Sequence, residues 1–342
     1  MTELEELLSQ YDYPLQIKQI AEKPSSPRDS SKLLVYDRKD GSTEFDTYAN
    51  LAEYLPKNAL LVFNETKVVP ARLIGRVVTG GKVEFLCTKF DGSEVLALSE
   101  RGLSPGEEVY ITKKLSVTVI EKMGKEYRLK IPRGIDIRTL LRKRGITTLP
   151  PYLKRSPLTE RERRQKYQTV FAKREGSIAA PTASLHFTKR LFKKLKKAGF
   201  DTAFITLHVN LGTFMPLTDE AIITGQLHEE LYEIPGHALK KIIDAKKHGR
   251  AVIPVGTTAL RALESAYADK RIRPSGTTRL FIRKGYRFKI ADGLITNFHV
   301  PKSSLMMLVA ALVGRKKLLE LYAIAQEKGF RLLSFGDGML IR

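Results

Sequence analysis

Between Ala71 and Ile131 the chain breaks into six short β-rich runs, "ARLIGRVV", "KVEFLC", "VLALS", "EVYIT", "LSVTVIE" and "YRLKI", with no helical stripe among them. Turn signals divide them at Gly80-Gly81, Asp91-Gly92, Pro105-Gly106 and Met123-Gly124. Regular short strands with tight turns and no intervening helices predict a small β-barrel. No other stretch of the sequence narrows the fold as far, because the grammar on either side is different. Before it come a strand "KLLVYDR" (32–38), a helical stripe through "TYANLAEYL" (47–55) and an apolar strand "ALLVFN" (59–64). After about Thr188, amphipathic helices such as "TKRLFKKLKKAG" and "HALKKIIDAKKHG" alternate with the apolar runs "AFITLHV", "AVIPV", "TRLFI" and "LLSF". Two further helices, "LMMLVAALVG" and "KKLLELYAIAQEKG", lie near the C-terminus. That alternation predicts an α/β fold: a mainly parallel sheet with flanking helices, plus the inserted barrel. The α/β domain is therefore expected to be discontinuous, from 1–70 and 151–342, with the barrel and a basic linker in 71–150. A length of 342 residues suits two domains or one domain with an insertion.

Composition narrows the function. No stretch approaches 18 apolar residues, and the N-terminus "MTELEELLSQ" is acidic and lacks an export signal. The cytoplasm is the expected compartment. A single cysteine, Cys87, cannot form an internal disulfide or a thiolate metal cluster. The six histidines show no metal-binding spacing, and no Walker A loop, Gly-x-Gly-x-x-Gly after a strand or Gly-x-Ser-x-Gly elbow is present. A net charge of +22 is more than a fold requires and attracts polyanions, with nucleic acid foremost. The excess is densest in Arg138–Glu175, which carries twelve Lys or Arg against three Asp or Glu, interrupted by Tyr152, Tyr167 and Phe171. Cations for phosphates and rings for unpaired bases suit an RNA strand; a solvated helix face would give the same composition. Lys154, Arg155, Arg163, Arg164 and Lys166, with Arg72 on the barrel, are the candidate RNA contacts.

Three strand-to-loop junctions carry polar residues. In "AVIPVGTTALRALESA", Gly256 turns the chain and Thr257-Thr258 open a helix bearing Arg261 and Glu264, so helical amides point at the strand's carboxyl end. An ordinary capped helix would look the same. "ADGLITNFHVPKSS" places Asp292, Asn297 and His299 at or near a strand's ends, and "ITLHVNLGTF" adds His208. The run "SIAAPTASLHFT" (177–188) is small and hydroxyl-rich in front of His186, which suits close approach of backbone to a ligand or simple packing.

Together these stretches resemble a known family. "YQTVFAKREGSIAAPTASLHFT", "LHVNLGTF", "VGTTALRALESA", "KGYRFKIADGLITNFHVPKSSLMMLV", "LLSFGDGMLIR", "PRDSSKLLVYDR" and "LLVFNETKVVPARL" are similar, in order from Tyr11 to Ile341, to the S-adenosylmethionine:tRNA ribosyltransferase-isomerases of queuosine biosynthesis. Ser184 and Asn210 stand at usual glycine positions, and Glu65 and Lys67 where Asp and Arg are common. The resemblance implies transfer and isomerisation of the ribosyl part of S-adenosylmethionine onto 7-aminomethyl-7-deazaguanine at the tRNA wobble position, giving epoxyqueuosine, adenine and methionine. It implies the tRNA anticodon arm and S-adenosylmethionine as partners, the latter consumed rather than a cofactor; the residues themselves predict no metal and no membrane span, and a monomer is expected. His186 and His299 are the candidates for proton transfer, with Asp292 orienting one of them. Ser177, Thr182, Thr257, Thr258, Arg261, Glu264 and Asn297 are expected to hold the substrate. A non-catalytic RNA-binding protein and a methyltransferase are the rival readings.

Overall fold

The computed structural model describes every residue except 1, 92–93, 210–216 and 269–270. Its centre is a nine-stranded sheet in the order Ser275–Leu280, Gln226–Glu233, Asp201–Leu207, Leu60–Asn64, Val252–Val255, Leu294–Asn297, Gly338–Ile341, Lys32–Tyr36, Thr43–Thr47. The strands Leu60–Asn64, Val252–Val255 and Leu294–Asn297 are buried at every position, as runs covered on both faces must be. Helix Gly236–Lys247 lies over one face and helix Lys189–Lys197 over the other, each burying an apolar stripe.

The sheet is mixed, which corrects the expectation of a mainly parallel one. Asp201–Leu207, Leu60–Asn64, Val252–Val255 and Leu294–Asn297 run parallel, but Gly338–Ile341 runs antiparallel to Leu294–Asn297. The cause is the connection. Two helices in succession, Ser304–Val313 and Arg315–Glu327, carry the chain away and back to the same sheet edge, whereas one crossover helix would bring it back at the far edge. The apolar run "LLSF" is not a strand; Leu333 there has φ +69, and the strand starts at Gly338. The outer pairs Thr43–Thr47, Gln226–Glu233 and Ser275–Leu280 are antiparallel too. "TYANLAEYL" forms a 3-10 helix, Tyr48–Glu53.

Six antiparallel strands between Arg72 and Lys130 close into a barrel. Alternate positions point inward, so Phe85, Cys87, Val95, Ala97, Val117 and Tyr127 fill its core. Burial pushes the Cys87 thiol up to about 12, leaving it an inert hydrophobe. Helix Ile137–Arg144 packs Ile137, Leu140 and Leu141 against that core. The chain then returns to the α/β body through a 3-10 turn, Pro151–Leu153, and a short helix, Glu160–Lys166.

Candidate active site

The carboxyl ends of the parallel strands Val252–Val255 and Leu294–Asn297 open into a cavity of about 500 Å3, within the range of small-molecule sites. The first strand delivers Gly256, Thr257 and Thr258 to its wall, and the second delivers Thr296, Asn297 and His299. Residues 179–183 form a third side, and Pro151, Tyr152 and Tyr167 of the linker a fourth. Gly256 adopts φ +94, which lets the chain turn directly from strand into helix Thr257–Ala266. Gly256 rather than a threonine is the N-cap, and no side chain caps the helix, so its first amides face the cavity uncapped. Thr258 is held in place by Asn64, whose Nδ2 donates to Thr258 Oγ1 at 3.2 Å.

His299 lines the cavity. Its backbone is gripped on both sides: the amide donates to Tyr322 Oη at 2.8 Å, and Tyr13 Oη donates to its carbonyl at 2.7 Å. Its Nε2 lies 3.3 Å from Thr296 Oγ1, while Nδ1 is buried without a partner. Burial lowers its pKa to about 4. His186 lies one layer back and does not line the cavity. It stacks on Tyr48, ring centroids 4.1 Å apart, and its Nε2 accepts from Asn297 Nδ2 at 3.2 Å. Burial, then the nearby Arg331 and Arg28, lower its pKa to about 3. Both imidazoles are therefore neutral at pH 7, not poised between forms as the sequence suggested.

Thr182, Thr257, Thr258, Asn297 and His299 thus converge on one cavity. The other candidates lie elsewhere. Asp292 is at the opposite end of its strand from His299, where it pairs with Lys246 at 3.0 Å and accepts from Val252 N at 2.9 Å; it orients no histidine. Glu264 accepts from Tyr286 Oη and from the amides of Lys289, Ile290 and Ala291 at 2.9–3.0 Å, so it organises a loop rather than a ligand. Arg261 is buried against Glu230 and donates to Leu280 O, outside the main cavity. Ser177 is fully buried, 2.6 Å from Thr66 Oγ1 and accepting from Val209 N at 2.8 Å. It ties the linker to the sheet.

The basic patch also divides. Lys154 and Arg155 are exposed and directly follow the 3-10 turn that walls the cavity. Arg164 instead binds Glu160 at 2.7 Å and the carbonyls of Arg142 and Gly145, Lys166 binds Glu162 at 2.9 Å, and Arg163 reaches Ser156 O at 3.5 Å. Arg72 pairs with Glu84 at 3.2 Å. Tyr167 is buried in the cavity wall, and Phe171 packs among Phe63, Phe192 and Phe204, so neither ring is free to stack on an exposed base.

A sequence profile of the queuosine biosynthesis protein family matches residues 8–341. The chain belongs to that family. It is 44% identical over 339 residues to an S-adenosylmethionine:tRNA ribosyltransferase-isomerase of Aquifex aeolicus, covering 98% of this chain and 99% of the relative. The enzymes of the same name from Fusobacterium nucleatum and Carboxydothermus hydrogenoformans are also 44% identical, each over 98% of this chain. A crystal structure of an S-adenosylmethionine tRNA ribosyltransferase from Thermotoga maritima aligns with a TM-score of 0.56 at 31% identity, covering 97% of this chain and all of that one.

As a member of the family the chain departs at Ser184, which sits in the 3-10 helix Thr182–His186 without a positive φ and so does not need glycine's freedom. Asn210 falls outside the described residues. Lys67 pairs with Glu175 at 3.0 Å, and Glu65 lies 3.9 Å from Arg174. Tyr13, Tyr48 and Tyr322 escaped the sequence reading. They act from segments distant in the chain, and no local pattern marks them.

Proposed function

We propose that this chain transfers and isomerises the ribosyl moiety of S-adenosylmethionine onto 7-aminomethyl-7-deazaguanine at the wobble position of tRNA, giving epoxyqueuosine-tRNA, adenine and methionine. The observation that carries this reading is the charge of the cavity. Among the described residues lining it there is no carboxylate, and the one lysine, Lys302, is 2.9 Å from Asp12. An alkylamine attacks only when neutral, and a neighbouring carboxylate would hold it as ammonium; burial against a wall without one lowers its pKa. The same wall gives the sulfonium no counter-charge, which favours a reaction that disperses its positive charge.

The geometry supports a role for each group. The uncapped amides at Thr257 and Thr258 suit the methionyl carboxylate, and Thr182 offers a short hydroxyl. His299, neutral at rest, accepts a proton first, from the carbon acidified by the sulfonium. The resulting imidazolium is a strong acid at its lowered pKa, suited to protonating the departing adenine. His186 has no part in proton transfer. Lys154 and Arg155 reach for anticodon-arm phosphates at the rim.

Incubation with S-adenosylmethionine and tRNA bearing the aminomethyl base should release adenine and methionine together. S-adenosylhomocysteine instead would indicate a methyltransferase, and release of neither product would leave only a binding protein; both results reject the reading.

A further inference from the structure

The side chain of Asn297 has one orientation that its surroundings allow. Three groups face the same terminal atom: Leu333 O at 3.3 Å, Asp337 O at 3.2 Å and His186 Nε2 at 3.2 Å. Two of them are carbonyls, so that atom must be the NH2 nitrogen; the opposite assignment would set oxygen against oxygen. Oδ1 is then turned away, buried and without a partner, on a residue that lines the cavity. Asn297 itself is 3% exposed. Buried amide oxygens in folded proteins are nearly always paired, so an orphan in a cavity wall marks a contact that a ligand completes. The backbone around it is also unusual. Leu333, which supplies one of the carbonyls, is a bulky residue at φ +69, a conformation such residues adopt only when the surroundings impose it. Two residues along the chain, His299 Nδ1 is likewise buried and unpartnered in the same wall.

We propose that Asn297 Oδ1 accepts an N–H of a substrate amine, and that His186 is a positioning residue that holds the Asn297 amide in the receptive orientation. A wall with a fixed acceptor and no carboxylate recognises a neutral amine. Two such groups enter the reaction proposed above, on which the identity of the amine rests: the exocyclic amine of the adenine and the aminomethyl group of the acceptor base. His186 serves through its Nε2 lone pair, which only the neutral ring offers, and burial keeps the ring neutral. Its stacking on Tyr48 fixes the ring plane.

Two arms separate the sources. In the first, equilibrium binding to the wild-type chain is compared for S-adenosylmethionine and its 6-oxo counterpart, in which the adenine amine is replaced by a carbonyl. In the second, KM for tRNA bearing the aminomethyl base is measured for wild type and Asn297→Ala. A preference of at least tenfold for the amino form, abolished by Asn297→Ala, assigns the acceptor to the adenine. No such preference, together with a roughly tenfold rise in tRNA KM at unchanged S-adenosylmethionine affinity, assigns it to the aminomethyl group. Asn297→Ala that leaves both unchanged overturns the proposal. The first arm on wild type needs no variant to exclude the adenine, which an absent preference does whatever the fate of Asn297→Ala; a cooperative melt certifies the variant in both arms, with retained S-adenosylmethionine binding in the second. For His186, Gln keeps an acceptor toward Asn297, whereas Phe keeps only the ring on Tyr48. The positioning role requires His186→Gln to outperform His186→Phe in the affected arm, and a packing role requires the reverse order. Failure of wild type to release adenine and methionine would reject the reaction while leaving the acceptor assignment to the binding comparison.

Discussion

Replacing Glu264 by glutamine (Glu264→Gln) tells a loop anchor from a substrate ligand. The carboxylate is 2% exposed and accepts four hydrogen bonds, three from consecutive backbone amides. Glutamine keeps one oxygen, which can still serve Ile290 and Ala291. Its NH2 replaces the oxygen that faced Lys289 N and Tyr286 Oη. The tyrosine hydroxyl can rotate to accept, but the Lys289 amide is left facing a donor, at about 1–3 kcal/mol. The remaining bonds lose their charge assistance, at about 0.5 kcal/mol each. The sum is about 2–4.5 kcal/mol, which in a chain of this size lowers the melting temperature by on the order of 3–6 °C. Calorimetry measures this directly, and the KM for S-adenosylmethionine at a temperature where the variant is folded should be unchanged. An unaltered melt accompanied by a tenfold rise in that KM would refute the assignment, because a ligand-binding carboxylate gives that pattern and a loop anchor does not.

Three other outcomes are expected. Lys154→Ala and Arg155→Ala should each flatten the log-affinity against log-salt slope for tRNA by roughly 0.7–0.9, while Lys166→Ala, whose charge is matched by Glu162, should leave the slope nearly unchanged; a titration across salt concentrations decides. His186 and His299 have folded pKa values of about 3 and about 4, below the ordinary 6.5, so the unfolded chain takes up protons first. Their contribution is complete above pH 6.5 and is lost as pH falls toward those values, by up to about 1.4 kcal/mol per pH unit for each histidine; His186→Gln should remove about half of this slope in denaturation midpoints measured from pH 7 to 4.5. The pH profile of kcat, which reports groups in the enzyme–substrate complex, should carry an acid limb from the bound amine, displaced well below the usual alkylamine range near 10, and a limb at the free-amine value would contradict the carboxylate-free cavity.

The barrel was legible because its evidence is local: two-residue alternation and turn residues act within a hairpin. The cavity rim was legible for the same reason. Gly256-Thr257-Thr258 and Asn297-x-His299 are strand-end signals that need no partner to be recognised. What stayed hidden depends on which distant residue arrives alongside. Asp292 meets Lys246, 46 positions away, at the wrong end of its strand for catalysis, and His186 meets Asn297 across 111 positions. The basic linker misled for the same reason, since composition counts charges without showing that Arg164 is committed to Glu160 and two carbonyls. Strand direction depended on counting helices between the last two strands, which the apolar pattern of "GMLI" does not encode.

The net charge and the cavity's lining bear on one another. A chain at +22 creates a positive potential that draws in tRNA, and the same potential opposes any further positive charge near its surface. An alkylamine delivered on that tRNA therefore meets two effects of like sign: the field of the whole protein, and a local wall without a carboxylate. Both favour the free base over the ammonium. Phosphates bound at the rim, as proposed above, would neutralise part of the field, but from solvent, where screening limits their reach to about 10 Å. The buried lining is screened far less, so the local term decides the protonation state once the base is in place. A site that relied on the global field alone would lose its neutral amine at high salt. One that relies on the absence of a carboxylate keeps it.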